Sequence, residues 1–195
     1  MPSNSRPKTA LLLLLCASIL ATGCTAEWLN VALADLPVIL QMALNIGNLT
    51  NTLQTGQQLS PAEIAAIQNI SDEASRDLNL LKSLYDDYKT NPNDSTVEKI
   101  ETTIAEINQN LPALLASAHI KDLGLSASIS AAVTLILNTV NSFATLIPNL
   151  AAQPVAKAVR RNVAPPVHPQ ELKAQWNEKV CRTAAGGLFP DCEIK

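Results

Sequence analysis

The feature that most constrains the fold is a stripe of apolar residues spaced alternately three and four residues apart. It occupies seven positions between residues 95 and 118, namely Val97, Ile100, Ile104, Ile107, Leu111, Leu114 and Ala118. This spacing places the whole set on one side of an α-helix, whereas in a strand it would fall on both faces. The segment therefore predicts an amphipathic helix that buries one side against other helices. Pro112 is expected to bend this helix.

Three further segments show the same helical period, and the breaks between the four are short. We predict helices over about residues 26–53, 60–88 and 122–147. The chain has six glycines, and its richness in Ala, Leu, Asn and Gln favours helix over sheet. Short connections make sequential helices pack side by side. We therefore predict an all-α fold, an antiparallel up-down four-helix bundle over residues 26–148.

Local signals refine the helix ends. Ser60, Pro61 and Glu63 form a capping-box sequence at the start of the second helix. A second capping box is predicted for the third helix, from Ser95 to Glu98. Pro37 is expected either to kink the first helix or to mark a late start.

The fourth helix raises the alternative of a membrane span, because no charged residue occurs from Leu123 to Ala156. A polar stripe at helical spacing runs along it, consisting of Ser130, Thr134, Asn138, Asn141 and Thr145. A lipid-exposed stripe with two asparagines would leave their amides without partners. We therefore favour a bundle helix. Its polar stripe is either the solvated side of the bundle or a surface for self-association or a protein partner.

The first 23 residues have the pattern of an export signal. Arg6 and Lys8 lie in a polar start, and twelve uncharged residues, ALLLLLCASILA, follow at positions 10–21. That length fits the apolar region of a signal peptide and is too short to cross a bilayer core of about 30 Å. The alternative is a buried helix over the same run.

The leader ends in Ala21-Thr22-Gly23-Cys24, small residues followed by a cysteine. These four residues and the leader resemble the lipobox signal of bacterial lipoproteins, with Ala21 where leucine is commonest. The resemblance implies a diacylglyceryl group on Cys24, cleavage before it, and an anchor site at residues 24–25. Thr25, in place of a retention aspartate, points to the outer membrane, facing the periplasm. The alternative is an ordinary secretory signal that leaves Cys24 as a free thiol.

The composition changes after Pro148. Residues 149–168 are predicted to form a proline-rich basic arm, in which Arg160 and Arg161 are candidates for binding an anionic surface. Residues 169–195 are predicted to form a short helix, with Leu172, Trp176 and Val180 on one face, followed by a hairpin. A Cys181–Cys192 disulfide would close this hairpin in an oxidising compartment, and two free thiols are the alternative.

Charge argues against a nucleic-acid partner. Residues 27–147 carry 13 acidic and 5 basic side chains, whereas residues 148–195 carry 4 acidic and 7 basic ones. A negative bundle is a poor binder of phosphate backbones, which select clustered Lys and Arg. The partners we expect are a membrane, through the lipid, and an envelope protein. The sequence leaves the oligomeric state open.

No motif for catalysis is present. The chain has two histidines, and it lacks metal-binding, haem-attachment, phosphate-loop and nucleophile motifs. We therefore assign no catalytic residue, no metal ligand and no cofactor, and we expect that the protein is not an enzyme. The leading expectation is a non-enzymatic, membrane-anchored envelope lipoprotein that acts as a scaffold or protein-binding module. The alternative is a carrier of small apolar ligands in the periplasm.

Overall fold

The structure, a computed structural model, describes residues 29–52, 59–147, 168–182 and 192–195. In these ranges the chain is a bundle of helices without a β-strand. The helices are α1, described over Leu29–Asn48 and followed by a 3₁₀ turn at Leu49–Thr52, α2 (Pro61–Thr90), α3 (Asp94–Ser117), α4 (Leu123–Leu146) and α5 (Pro169–Lys179). The predicted all-α class is confirmed.

The four long helices, α1 to α4, pack as antiparallel neighbours in chain order. A side-chain hydrogen bond joins each of their three sequential pairs, and from donor to acceptor these are Ser71 to the Ala43 carbonyl, Asn110 to Glu73, and Asn108 to Asn141. Only three residues separate α2 from α3, and five separate α3 from α4. Such links leave no room for a crossover, so each helix turns back along the previous one.

One apolar core runs through α1 to α5. The α3 stripe faces it, and Val97, Ile100, Ile104, Ile107 and Leu111 are all buried. Because aromatic residues make up 3% of the chain, aliphatic side chains fill most of this core. Tyr85 of α2 and Phe143 of α4 are exceptions, and their rings meet edge to face with centroids 6.2 Å apart.

The helix starts confirm one predicted cap and correct another. Ser60 and Glu63 form the predicted capping box of α2, and Asp122 caps α4. The predicted box from Ser95 to Glu98 is wrong, because α3 begins earlier. Its N-cap is Asn93, whose side-chain oxygen accepts the Thr96 amide at 2.8 Å. Asparagine is among the best N-cap residues, so it captures the start before Ser95 is reached.

Neither internal proline ends its helix. The α1 helix is continuous across Pro37, so this residue does not mark a late start. Pro112 lies inside α3, five residues before the helix ends. Both rings lie on the exposed side, away from the core. The bend at Pro112 stays a prediction.

By length and composition alone, α1 and α4 could each cross a membrane. Core helices of bundles pass the same test, and half of each apolar window is buried inside this bundle. The α4 helix also uses its polar stripe internally, because Asn141 bonds to Asn108 of α3. We therefore treat both as bundle helices.

Candidate functional site

Some of the predicted site residues lie in the part of the chain that the structure describes, and others lie outside it. Cys24, Arg160 and Arg161 lie outside the described residues, as do the leader and almost all of the basic arm. Cys181 and Cys192 are described, and they form the predicted disulfide with a Cα–Cα distance of 5.5 Å. Both half-cystines are buried. The expected disulfide is therefore confirmed, whereas the chain between residues 183 and 191, where the hairpin was predicted, lies outside the described residues.

The disulfide belongs to a larger contact that the sequence did not reveal. The segment from Cys192 to Lys195 lies against α5, and the Trp176 indole donates to the Cys192 carbonyl at 2.9 Å. Asn177 binds Ile194 twice, because its oxygen accepts the Ile194 amide at 2.9 Å and its nitrogen donates to the Ile194 carbonyl at 3.2 Å. We call α5, the disulfide and residues 192–195 the C-terminal clasp.

The clasp docks on α1 and α4 through apolar side chains. Leu172, Trp176 and Val180 are fully buried, as the sequence predicted for one face of this helix. Ile194 is also buried. At one end of the contact, the Asn45 amide of α1 donates to the Cys192 carbonyl at 3.5 Å. The clasp is thus a fifth element of the core, added to the side of the four-helix bundle.

The α1 helix also holds a buried carboxyl, Asp35. It is 0% exposed, and neither carboxylate oxygen has a hydrogen-bond partner. Burial raises its pKa to about 6, and nearby His168, the N-cap of α5, opposes that rise. A buried carboxyl with a displaced pKa marks a candidate functional position.

The sequence assigned Asp35 no role. The available signal was a single charged residue between Leu29 and Asn48, on the side that faces the core. Its burial and its neighbour His168, 133 positions later in the chain, depend on tertiary structure. No local pattern reveals such a contact.

Another buried carboxyl, Asp77, lies on α2. Burial raises its pKa, and the neighbouring carboxylate of Glu73 raises it further. One oxygen lies 3.6 Å from the Arg76 guanidinium, and the other has no hydrogen-bond partner. The described residues nevertheless contain no group of three His, Cys, Asp or Glu side chains placed to hold a metal ion.

A groove of about 390 Å³ opens near the turn between α2 and α3. Leu80 and Leu84 form its apolar wall, and the remaining wall is polar or charged, made by Ser95, Glu98, Lys99, Thr102 and Thr103. Leu80 is 47% exposed, so the groove is open to solvent. It offers a mixed surface rather than an enclosed apolar cavity.

Charge is divided unequally among the four long helices. Asp35 is the single charged residue of described α1 and α4 together, and it is buried. The α2 and α3 helices carry ten acidic and four basic side chains. The exposed surface of α1 and α4 is therefore uncharged, whereas the α2–α3 hairpin is acidic.

No protein family matches the sequence, and neither a curated protein nor a solved structure does. The function must therefore be argued from the residues of this chain.

Proposed function

We propose that the protein is a non-enzymatic envelope lipoprotein, a helical scaffold or protein-binding module held on a membrane through Cys24. The observation that carries the proposal is the leader that ends in Ala21-Thr22-Gly23-Cys24. Two or more acyl chains on one residue give stable anchoring, because each buried CH₂ contributes about 0.8 kcal/mol. Thr25 supports placement in the outer membrane, facing the periplasm.

The distance from the anchor to the bundle supports a role close to the bilayer. Five residue steps separate Cys24 from Leu29, where the described part of α1 begins. A fully extended chain advances about 3.3–3.6 Å per residue, so the tether reaches at most about 18 Å. A lipid on Cys24 would hold the bundle beside the membrane rather than far above it.

The unequal charge of the bundle supports a protein partner. The cores of protein interfaces are depleted of charged residues. The exposed surface of α1 and α4 meets this condition, and it includes Leu44, which is 58% exposed. The acidic α2–α3 hairpin would be repelled by anionic lipid, and this favours the other side of the bundle for contacts near the membrane.

The carrier alternative has less support. Its expected feature was an apolar cavity opened by kinked helices, whereas the groove at Leu80 and Leu84 is open to solvent and has the charged residues Glu98 and Lys99 in its wall. The proposal that the protein is not an enzyme rests on the sequence, which has two histidines and no catalytic motif.

The anchor is tested by comparing Cys24→Ser with a matched control, Cys16→Ser, in the leader. In a bacterial host, wild type and Cys16→Ser should incorporate labelled fatty acid, lose the leader and fractionate with membranes. Cys24→Ser should take up no label and keep its leader, because the thiol is the lipidation site. Normal maturation and membrane fractionation of Cys24→Ser would overturn the proposal.

A further inference from the structure

We propose that the groove between α2 and α3 is the docking site of this chain's own basic arm, residues 149–167. Arginine side chains of the arm pair there with Glu98 and Glu101 of α3, and a valine covers Leu80 and Leu84 of α2. The contact forms within one chain and does not depend on the lipid anchor.

The chain leaves α4 at the level of this groove. Asn108 of α3 bonds to Asn141 of α4, and the two helices are antiparallel. Ile147, six positions after Asn141, is therefore level with Thr102, six positions before Asn108. Because Thr102 lines the groove, the arm starts beside its docking site, one helix away.

The chain also returns to the bundle near that level. His168, the N-cap of α5, lies close enough to Asp35 of α1 for its charge to act on that carboxyl. Ser71 of α2 bonds to the Ala43 carbonyl of α1, so Asp35, eight positions before Ala43, is level with Asn79, eight positions after Ser71. Both ends of the arm thus meet the bundle at the height of the groove.

The arm is long enough to reach the groove and return. Residues 148–167 join the end of α4 to the start of α5, and extended they span up to about 70 Å. A helix with its side chains is about 10–12 Å across, so a path over two helices and back needs roughly 40–50 Å. Attachment at both ends keeps the arm at a high effective concentration beside the groove, so that weak contacts suffice for docking.

Two acidic side chains lie on the way from α4 to the groove. Glu101 is two turns before Asn108 and therefore on the side of α3 that faces α4, and Glu98, one turn earlier, lines the groove. Within the described residues neither makes an ion pair, whereas Glu73 and Asp86 do. Burial raises the pKa of Glu101, and the neighbouring carboxylate of Glu98 raises it further. A guanidinium between the two would relieve this repulsion, because it can bind carboxylates through several N–H groups.

The arm has the charge and the apolar residues that this surface requires. It carries no acidic residue, and its basic residues are Lys157, Arg160 and Arg161. The α2 and α3 helices carry ten acidic and four basic side chains, so the two surfaces attract each other. Val159 lies between the basic residues of the arm, and Leu80, which is 47% exposed, offers it an apolar contact.

The experiment is photo-crosslinking in the purified mature protein. A photo-crosslinking residue at Leu80 should join, within one chain, to a peptide from residues 149–167, identified by mass spectrometry. The same probe at Leu44 of α1, a more exposed leucine, is the control and should not capture that peptide. A probe at Val159 should label α2 or α3, also when vesicles of phosphatidylcholine and phosphatidylglycerol are present.

Charge variants test what holds the arm. Glu98→Gln combined with Glu101→Gln should lower the yield at Leu80 by up to about fivefold for each ion pair lost. Lys99→Gln removes a positive charge from the groove wall and should raise the yield. The matched control is Asp72→Asn, at an exposed position outside the groove, and it should leave the yield as in wild type.

No arm peptide at Leu80, or equal capture at Leu44, would overturn the proposal. A product that joins two chains would assign the groove to a second copy, and lipid labelled from Val159 would assign the arm to an anionic surface. Either result would also overturn it. So would a yield that stays the same in wild type, in the double glutamine variant and in Lys99→Gln.

Discussion

At the scale of single residues, the contacts that join the helices are polar pairs set into apolar surroundings. Asn108 and Asn141 exchange two amide hydrogen bonds, each of 2.9 Å, between α3 and α4. Asn138 lies on the same polar stripe of α4 but is exposed. The stripe predicted from the sequence as a single polar surface is thus divided, with one asparagine joined to a neighbouring helix and another facing solvent.

The Asn108–Asn141 pair predicts unequal effects of two alanine substitutions on one helix. Asn141→Ala should lower the free energy of unfolding by about 1–2 kcal/mol, because it leaves Asn108 with unmet hydrogen-bonding capacity at a half-buried position. Asn138→Ala should change it by less than about 0.5 kcal/mol. Urea unfolding followed by circular dichroism measures both. Equal effects of the two substitutions would mean that the Asn108–Asn141 pair does not contribute to stability.

The lowered pKa of Glu63 predicts how the stability of the fold changes in strong acid. Its pKa is lowered to about 2, first by the Ser60 hydroxyl and then by the backbone amides of Lys121 and Ser60. A lowered pKa stabilises the fold above the ordinary value of 4.5, and this contribution disappears as the pH falls through 2. In urea unfolding, Glu63→Gln should therefore be less stable than wild type at pH 6.

The difference between Glu63→Gln and wild type should shrink towards pH 2, where the wild-type carboxyl becomes protonated. Glu98→Gln, at an exposed position on α3, is the control and should follow wild type throughout. If the difference in the free energy of unfolding between Glu63→Gln and wild type were as large at pH 2 as at pH 6, the lowered pKa of Glu63 would be contradicted.

At the scale of elements, helix type and order could be predicted, whereas most contacts at the helix ends could not. The period of apolar residues predicts α2, α3 and α4 because the side of a helix that packs in the core must be apolar. The α3 cap was missed because Asn93 and Ser95 are both good N-cap residues and the sequence does not rank them. The two hydrogen bonds between Asn177 and Ile194 join residues 17 positions apart, and no helical period predicts a contact at that separation.

The clasp predicts a local role for the disulfide. Replacing Cys181 and Cys192 with serine should destabilise the clasp by roughly 2–3 kcal/mol, the expected effect of opening so short a loop. Hydrogen exchange should then quicken in α5 more than in α2 and α3. Asn177→Ala, which removes two hydrogen bonds but keeps the disulfide, should cause a smaller change in the same region. Uniform destabilisation of all helices by the double serine variant would show that the clasp is not a separate unit.

At the scale of the whole molecule, the division of charge gives the bundle two different sides. Photo-crosslinking residues placed at the exposed positions Leu44 of α1 and Thr134 of α4 should capture the same envelope protein. The same probe at Asp87, on the acidic hairpin, should not. We expect this difference because the cores of protein interfaces are depleted of charged residues, and the exposed surface of α1 and α4 carries none. Equal capture at Asp87 would argue against the uncharged side as the binding surface.

The central claim is that a lipid on Cys24 tethers this cross-linked bundle, and the intact mass of the mature protein tests it most directly. The account predicts a chain that starts at Cys24, carries the added diacylglyceryl and acyl groups, and retains the Cys181–Cys192 disulfide seen in the structure. A mature chain with an unmodified Cys24, or one cut at another position, would contradict it.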